Sequence, residues 1–204
     1  MRHALVVFES MFGNTQTIAE AVLKGLSSHI PTVILEVGSA PAVLADDVEL
    51  LVVGGPTHAF GMSRPRTRED ATRQAGGHVV SGQRGLREWL ASLERGTGDV
   101  AAAAFDTRID KPRMPGSAAR RAEKRLRNLG FHVAAPPESF YVTGTAGPLV
   151  DGKRSAPRHG ARSSAEDPWA STQEHAGRSP GGSESSGPNH LPQSELASAV
   201  EVWS

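Results

Sequence analysis

The stretch HALVVFESMFGNTQTIAEAV, at residues 3–22, contains the transition that decides the fold. A continuous apolar run is followed by a short polar loop, Ser10–Thr15, and then by residues that repeat with the period of a helix. Ile18, Val22 and Leu26 fall on one face of that helix, because apolar residues three or four positions apart share a face. The stretch therefore predicts a buried strand, a polar loop and an amphipathic helix, in that order.

The polar loop lies where the strand ends and the helix begins, which is a position suited to an anion. Free N–H groups and the positive end of the helix dipole meet there, so no charged side chain is needed. Gly13 permits a close approach of the backbone, and Ser10, Asn14 and Thr15 add hydroxyl and amide donors. A simple cap of the helix by Asn14 or Thr15 is the alternative. The loop matches neither the Walker motif nor G-x-G-x-x-G.

Strand and helix patterns alternate along residues 1–152 and predict the fold class. The apolar runs are continuous, which is typical of strands buried on both faces. After the first they are TVILEV (32–37), ELLVVGG (49–55), DVAAAAF (99–105) and FHVAAP (131–136). Helical spacing is found at residues 14–28, 85–93 and 117–130. This alternation predicts parallel strands joined by crossover helices, that is, a doubly wound five-stranded α/β sheet.

The composition limits the classes of function. The chain has 204 residues, with 22 Lys and Arg against 22 Asp and Glu, and it contains no cysteine. This charge balance gives no reason to expect a nucleic-acid partner, and the absence of thiols excludes disulfides and cysteine-ligated metals. No apolar run approaches the about 20 residues that cross a bilayer, and residues 1–10 do not resemble a signal peptide. We therefore expect a soluble, cytoplasmic protein that binds neither nucleic acid nor membrane.

The composition changes after Gly152. Residues 153–204 include 21 Ser, Pro or Gly residues and only four Leu, Val, Ile or Phe residues. Such a segment buries too little apolar surface to offset the entropy that is lost on ordering. The sequence thus predicts one α/β domain at residues 1–152 and a disordered, low-complexity tail at residues 153–204.

Three stretches together resemble the flavodoxin family. VVFESMFGNTQTIAEAV (6–22) is similar to its strand, Gly-Asn-Thr loop and helix, in the short-loop variant. LLVVGGPTHAFGMS (50–63) and AAAFDTRID (102–110) follow the third and fourth strands, where the family places its other two flavin loops. The resemblance covers about residues 5–151 and implies strand order 2-1-3-4-5, with a ligand at the carboxyl ends of the strands. It also implies non-covalently bound FMN and electron transfer.

The resemblance assigns candidate FMN-binding residues to each loop. For the phosphate these are Ser10, Met11, Phe12, Gly13, Asn14 and Thr15. For the isoalloxazine ring they are Pro56, Thr57, His58, Ala59, Phe60 and Gly61 in the second loop, and Asp106, Thr107 and Arg108 in the third. Asp106 and Thr107 would accept from and donate to the pyrimidine edge. We expect neither a catalytic residue nor a metal ligand.

The side chains near the ring have individual expected roles. Phe60 can cover the flat apolar face of the ring, or it can pack within its loop. Gly61 would permit reorientation of a peptide near N5, as the family's glycine does. His58 can supply a proton or a charge to the reduced ring, or it can be an ordinary hydrogen-bonding residue. Arg108 would raise the reduction potential of the ring if it lies beside it, unless it points into solvent.

Three features depart from the flavodoxin pattern. Flavodoxins are acidic around the flavin, whereas SRPRTREDATR (63–73) places four arginines just after the second loop. Residues 72–85 form a longer, Gly-rich lead-in to the next helix, either as a lid or as a surface loop. The family's closing helix is replaced by KRSAPRHGARSSAEDPWAS (153–171). A shift of reading frame near Lys153, in the gene or in its sequencing, would explain this replacement.

Two further functions remain open beside the electron carrier, which we favour. An NAD(P)H-dependent quinone or flavin reductase of the same fold could use Arg64, Arg66, Arg68 and Arg73 to bind a phosphate of the dinucleotide. The alternative, which we favour, is that these arginines form only a solvated basic face. A flavin-free interaction domain would act only by binding a partner. The carrier would exchange electrons with a redox partner protein that the sequence does not identify. Oxidation of NADPH by the pure protein would distinguish the reductase from the carrier.

Overall fold

The structure, a computed structural model, describes residues 1–94, 99–111 and 115–154, and for residues 151–154 it describes the backbone alone. The predicted disordered tail lies outside these residues except at its first two positions. Residues 153–171, which replace the closing helix of the family, also lie outside the described residues, apart from residues 153 and 154. Among the described residues, no helix is long and apolar enough to cross a membrane.

Strands and helices alternate along the described chain. The strands are β1 (His3–Phe8), β2 (Thr32–Glu36), β3 (Val48–Pro56), β4 (Ala101–Ile109), β5 (His132–Val133), β6 (Glu138–Val142) and β7 (Leu149–Arg154). The helices are α1 (Asn14–Leu26), α2 (Pro65–Gln74), α3 (Leu86–Ser92) and α4 (Ala118–Asn128). The sheet order is β2-β1-β3-β4-β6-β7, and β5 pairs with β4. The pairs from β2 to β6 are parallel, which confirms the predicted doubly wound α/β fold.

Two short strands share the position of the single fifth strand that the sequence predicts. β5 pairs with the start of β4, and β6 pairs with Phe105–Ile109 further along the same strand. Pro136 and Pro137 lie between β5 and β6, and neither can donate a hydrogen bond to the ladder. The strand predicted at residues 131–136 therefore ends at Val133. β7 then adds an antiparallel edge that the sequence analysis did not predict.

The central strands separate two apolar clusters. Alternate residues of a strand point to opposite faces of its sheet. On one face the side chains of β1 and β3 pack with α1, and on the other they pack with α3 and α4. Val22 and Leu26 of α1 are buried, which confirms the predicted apolar stripe of this helix. Packing against the sheet fixes the start of α1 relative to the end of β1.

Helix α2 is an element that the sequence analysis missed. It covers most of the arginine-rich stretch and the first residues of the Gly-rich lead-in. Only Arg68 and Ala71 of this helix are buried, so its sequence has no apolar stripe. Pro65 at the first helical position and Thr67, whose Oγ1 accepts a backbone N–H three residues earlier, define its start. The loop that leads to α3 is therefore residues 75–85.

Candidate functional site

An open cleft lies at the carboxyl ends of β1, β3, β4 and β6. It has about 410 Å³ of empty space, part of which is open to solvent. Neighbouring parallel strands end at the same edge of a sheet, which explains why the three predicted loops meet here. The predicted residues that line the cleft are Ser10, Met11, Phe12, Asn14, Thr15, Pro56, Thr57, His58, Thr107 and Arg108.

The residues that line the cleft differ from the predicted set in two ways. The predicted residues that do not line it are Gly13, Ala59, Phe60, Gly61 and Asp106. Ile109, Val142 and Thr145 line it without having been predicted. Ile109 ends β4, and its apolar side chain next to the predicted third loop was the signal that could have found it. Val142 and Thr145 follow the two prolines, where the sequence analysis had misplaced the strand.

The loop between β1 and α1 presents unpaired amide groups at the cleft. Gly13 precedes the first residue of α1 with φ 89°, a left-handed conformation that favours glycine. Its amide donates to Ser10 Oγ at 3.1 Å, which closes the loop on itself. Within the described residues, no hydrogen-bond partner is found for the amides of Met11, Phe12, Asn14 and Thr15. Such amides at a helix N-terminus form a site for an anion.

Ser81 holds the beginning of this loop, and the sequence analysis did not predict it. Its Oγ accepts from Ser10 N at 3.0 Å, and its own amide donates to Ser10 O at 2.8 Å. Val80 N donates to Met11 O at 3.2 Å. Ser81 is only 1% exposed and does not line the cleft. The Gly-rich segment after α2 therefore supports the loop, and no local sequence pattern indicates a contact across 71 residues.

Two side-chain hydrogen bonds connect the start of α1 to other walls of the cleft. Thr15 Oγ1 and Thr107 Oγ1 are 2.7 Å apart and buried, which joins α1 to the end of β4. Asn14 Nδ2 donates to Thr145 O at 3.2 Å, which joins α1 to the turn between β6 and β7. Three of the predicted site residues thus hold the walls of the cleft together as well as lining it.

Residues 58–61 form a tight turn beside the cleft. His58 N donates to Gly61 O at 2.8 Å, and Gly61 N donates to His58 O at 3.0 Å. Between them, Ala59 and Phe60 have φ values of 41° and 73°. A residue other than glycine in this region costs of order 1–3 kcal/mol, so the turn stores strain. The strain lies at Ala59 and Phe60, whereas Gly61, where we expected backbone freedom, does not have a positive φ.

Contacts from α4 and the loop before it hold this turn in place. Arg121 Nε donates to Phe60 O at 3.2 Å. A Cβ atom on Gly61 would collide with the Arg121 side chain, and one on Gly116 would collide with the backbone of Phe60. Gly116 therefore permits a close approach of backbone that a larger residue would prevent, whereas a side chain at residue 61 would displace the exposed Arg121 side chain. The Phe60 side chain is 55% exposed at the rim of the cleft, and its covering of a ring stays a prediction.

Asp106 supports the cleft from within the protein. Its Oδ2 accepts hydrogen bonds from Thr57 Oγ1 at 2.9 Å, from Ser117 Oγ at 2.6 Å and from Ala119 N at 3.0 Å. The residue is completely buried. Because alternate residues of β4 face opposite sides, Asp106 faces α4 while Thr107 faces α1. The geometry thus indicates that Asp106 positions Thr57 and the start of α4.

Two ionisable side chains line the cleft. Burial lowers the pKa of His58, and the positive charge of Arg68 lowers it further, so the neutral imidazole is favoured. The Arg108 guanidinium lies 5.8 Å from the centre of the Tyr141 ring, within the range of a cation–π contact. Arg108 therefore places a positive charge beside the cleft.

Comparison with solved structures agrees with this fold. Oxidised flavodoxin 1 from Bacillus cereus has 16% sequence identity, covers 70% of this chain and 86% of its own, and has a TM-score of 0.51. Flavodoxin 2 from the same organism has 18% identity, covers 68% and 84%, and has a TM-score of 0.50. The fold is flavodoxin-like. Searches of protein-family models and of curated proteins found no match.

The flavodoxin-like fold confirms the resemblance that the three sequence stretches indicated. At these identities the likeness extends to the fold, and a ligand has to be inferred from the cleft residues themselves. The cleft of this flavodoxin-like chain combines unpaired amides at residues 11, 12, 14 and 15 with a neutral histidine and a partly buried arginine.

We predict that His58 makes the stability of the protein depend on pH. The unfolded chain protonates His58 near its ordinary pKa of 6.5, whereas the folded chain protonates it only at lower pH. Below that value the unfolded state binds more protons, so the free energy of unfolding falls as the pH is lowered, by at most about 1.4 kcal/mol per pH unit. Urea unfolding at several pH values between about 7.5 and 5.5 measures this slope.

The matched variants are His58→Gln and His78→Gln, since His78 is exposed and lies in the loop after α2. His58→Gln should have a flatter profile than the wild type, and His78→Gln should keep the wild-type slope. An unchanged slope in His58→Gln would show that burial of this imidazole does not restrict its protonation.

Proposed function

We propose that this flavodoxin-like protein binds FMN non-covalently and carries electrons to and from a partner protein. The observation that carries the proposal is the group of unpaired amides at residues 11, 12, 14 and 15, at one end of a cleft that is lined elsewhere by apolar residues, neutral polar residues and Arg108. FMN has the matching chemistry, with a phosphate dianion at one end and a flat, mainly apolar ring system at the other. When bound, it supplies the chemistry of accepting and donating electrons.

The loop residues fit a phosphate without any charged side chain. The four unpaired amides would donate to its oxygens, together with the hydroxyl hydrogen of Ser10, whose Oγ accepts from Gly13 N. The N-terminus of α1 adds a positive partial charge, which contributes about 0.3–1 kcal/mol at an exposed site. The first turn of α1 has no acidic residue that would repel a dianion.

The residues at the other end of the cleft fit the ring system. Pro56, Ile109 and Val142 offer apolar surface to its flat face. Thr57 Oγ1 accepts from Ala118 N at 2.9 Å while it donates to Asp106, so its position in the wall is fixed.

Two side chains would influence the protonation and the reduction potential of the bound group. Neutral His58 can hold or donate a proton at its imidazole beside the ring. The positive charge of Arg108 favours negative charge in the cleft, which would raise the reduction potential of the bound group.

We predict that the purified protein retains FMN after mixing and desalting, and that Gly13→Asp abolishes retention. An aspartate at residue 13 would place a negative charge against the phosphate. Visible absorbance of the desalted protein measures the bound flavin. The matched control is Gly76→Asp, because Gly76 also has a positive φ and open space around it but lies outside the cleft. Both variants thus add backbone strain and one negative charge, but only Gly13→Asp places that charge at the loop.

Two outcomes would contradict the proposal. Folded wild-type protein that is colourless after desalting would overturn FMN binding. Equal retention by Gly13→Asp and the wild type would show that the flavin binds elsewhere than at this loop.

We also predict that Ser81→Ala weakens FMN binding although Ser81 does not touch the cleft. The variant loses the hydroxyl that accepts from Ser10 N, so the first residue of the loop is held less firmly. Loss of one such hydrogen bond costs about 0.5–1.5 kcal/mol, which corresponds to a dissociation constant up to about tenfold higher. Quenching of flavin fluorescence during titration measures the dissociation constant.

The control for this variant is Ser28→Ala, which removes an exposed serine just beyond the end of α1, whose Oγ donates to Gly25 O in the last turn of that helix. It should bind FMN as the wild type does. If Ser81→Ala also binds FMN with the wild-type dissociation constant, the segment after α2 does not position the loop.

A further inference from the structure

The chain after the turn at residues 58–61 is held by an arginine. Arg87 donates from Nε to Ser63 O at 3.0 Å and from Nη2 to Met62 O at 2.8 Å. Both acceptors are backbone carbonyls, which leave the positive charge of Arg87 without a neutralising partner at these contacts. These two hydrogen bonds therefore fix the guanidinium group next to the turn without neutralising its positive charge.

Two more arginines lie around the same turn. Arg121 donates to Phe60 O, again a backbone carbonyl, and it is exposed in the first turn of α4. Arg64 is exposed and directly precedes α2. We refer to Arg64, Arg87 and Arg121 as the arginine rim.

Arg64 and Arg121 each lie close enough to Arg87 to repel its guanidinium group. Burial lowers the pKa of Arg87, and the positive charges of Arg64 and Arg121 lower it further. Glu88 and Glu9 are the neighbouring acids and act in the opposite direction on the pKa of Arg87. The Glu88 carboxylate is engaged by Arg68 at 3.0 Å, and Glu9 Oε2 accepts from Leu86 N at 2.7 Å. Cations held together in this way are stabilised by an external anion, because an opposite charge offsets their mutual repulsion.

The surroundings of the rim are positive as well. α2 and α4 together contain eight basic and three acidic residues. Two of these acids, Asp70 and Glu123, pair with Arg73 and Arg127 of their own helices. The surplus of positive charge extends to exposed residues of both helices, namely Arg66, Arg120 and Lys124.

An exposed aromatic side chain lies within the rim. Phe60 is 55% exposed, and its backbone carbonyl is held by Arg121. Exposed aromatic residues surrounded by arginines are typical of protein–protein interfaces, where they provide apolar contact at the centre and charge at the margin.

We propose that Phe60 and the arginine rim form a docking surface for an acidic partner protein. The proposal rests on the proposed function, because the partner would be the protein that exchanges electrons with the cleft. Pro56, Thr57 and His58 line the cleft and lead directly into the turn that carries Phe60, so a partner on this surface would be next to the bound group. The partner proposed here is acidic, whereas the partner expected for an acidic flavodoxin is basic.

A dinucleotide phosphate fits the arginines less well than an acidic protein does. Arg68 is 3% exposed and donates to Ser63 Oγ and to Glu88, each at 3.0 Å. Arg73 pairs with Asp70. Two of the four arginines considered for a reductase are therefore engaged within the protein, whereas the charge of the rim is spread over a surface.

The test uses two acceptors that differ in charge alone: native cytochrome c, which is basic, and succinylated cytochrome c, which is acidic. Full-length, FMN-loaded protein is reduced with dithionite, separated from excess reductant and mixed with each form, and each ferric haem takes up one electron. We expect faster reduction of the acidic form at low salt, with a rate that falls as salt increases, because opposite charges steer association. The basic form should show the reverse salt dependence.

The matched variants are Arg64→Glu and Lys24→Glu. Both change the net charge equally, but Lys24 is exposed on α1, outside the arginine rim. Arg64→Glu should lower the rate with the acidic form by about threefold or more and raise the rate with the basic form, whereas Lys24→Glu should change both rates less. Association of the flavin-free chain with both cytochrome forms, measured by surface binding, gives a second readout with the same expected order.

The outcomes separate the docking surface from the proposed function. Preference for the acidic form in the binding experiment, with no retained flavin, would support the surface and overturn electron transfer through FMN. Electron transfer without preference between the two forms, or equal effects of the two variants, would overturn the surface and leave FMN binding intact. Binding of NADPH that Arg64→Glu weakens, without any preference between the cytochromes, would assign the rim to a dinucleotide and overturn the proposal.

Discussion

Unpaired backbone amides at the start of α1 are the feature on which the rest of the site depends. The chain leaves β1 and enters α1 through a glycine with positive φ, so several N–H groups remain without partners at the cleft. They stay in place because other contacts fix the loop on both sides. Ser81 engages both backbone groups of Ser10, and the Thr15–Thr107 contact fixes α1 against β4. The apolar packing of α1 on the sheet keeps this arrangement rigid.

Much of the fold could be predicted from the sequence because its signals are local. Continuous apolar runs predicted the central strands, and an apolar stripe predicted α1, α3 and α4. The missed helix α2 has no such stripe, since it buries an arginine and an alanine. The fifth strand was misplaced because Pro136 and Pro137 divide the pairing between β5 and β6, which an apolar pattern does not reveal.

The site could be predicted at the level of loops and less well at the level of side chains. Three loops follow parallel, adjacent strands, so their meeting at one edge follows from the topology. The direction of each side chain depends on the pleat and on tertiary contacts. Asp106 faces α4 for this reason, and Ser81 reaches Ser10 from 71 residues away. The proposed anion site in the cleft consists of neutral donors, whereas the arginine rim beside it carries net positive charge, so the proposed cofactor site and the proposed docking surface rest on different residues.

The most direct test of the account compares the dissociation constants of FMN and riboflavin for the wild-type protein, because the two ligands differ only in the phosphate. If the amides of the loop bind the phosphate, FMN should bind at least about a hundredfold more tightly. Two charge-assisted hydrogen bonds of about 1.5 kcal/mol each already account for that factor. Equal affinities for the two flavins would contradict the assignment of the phosphate to the start of α1.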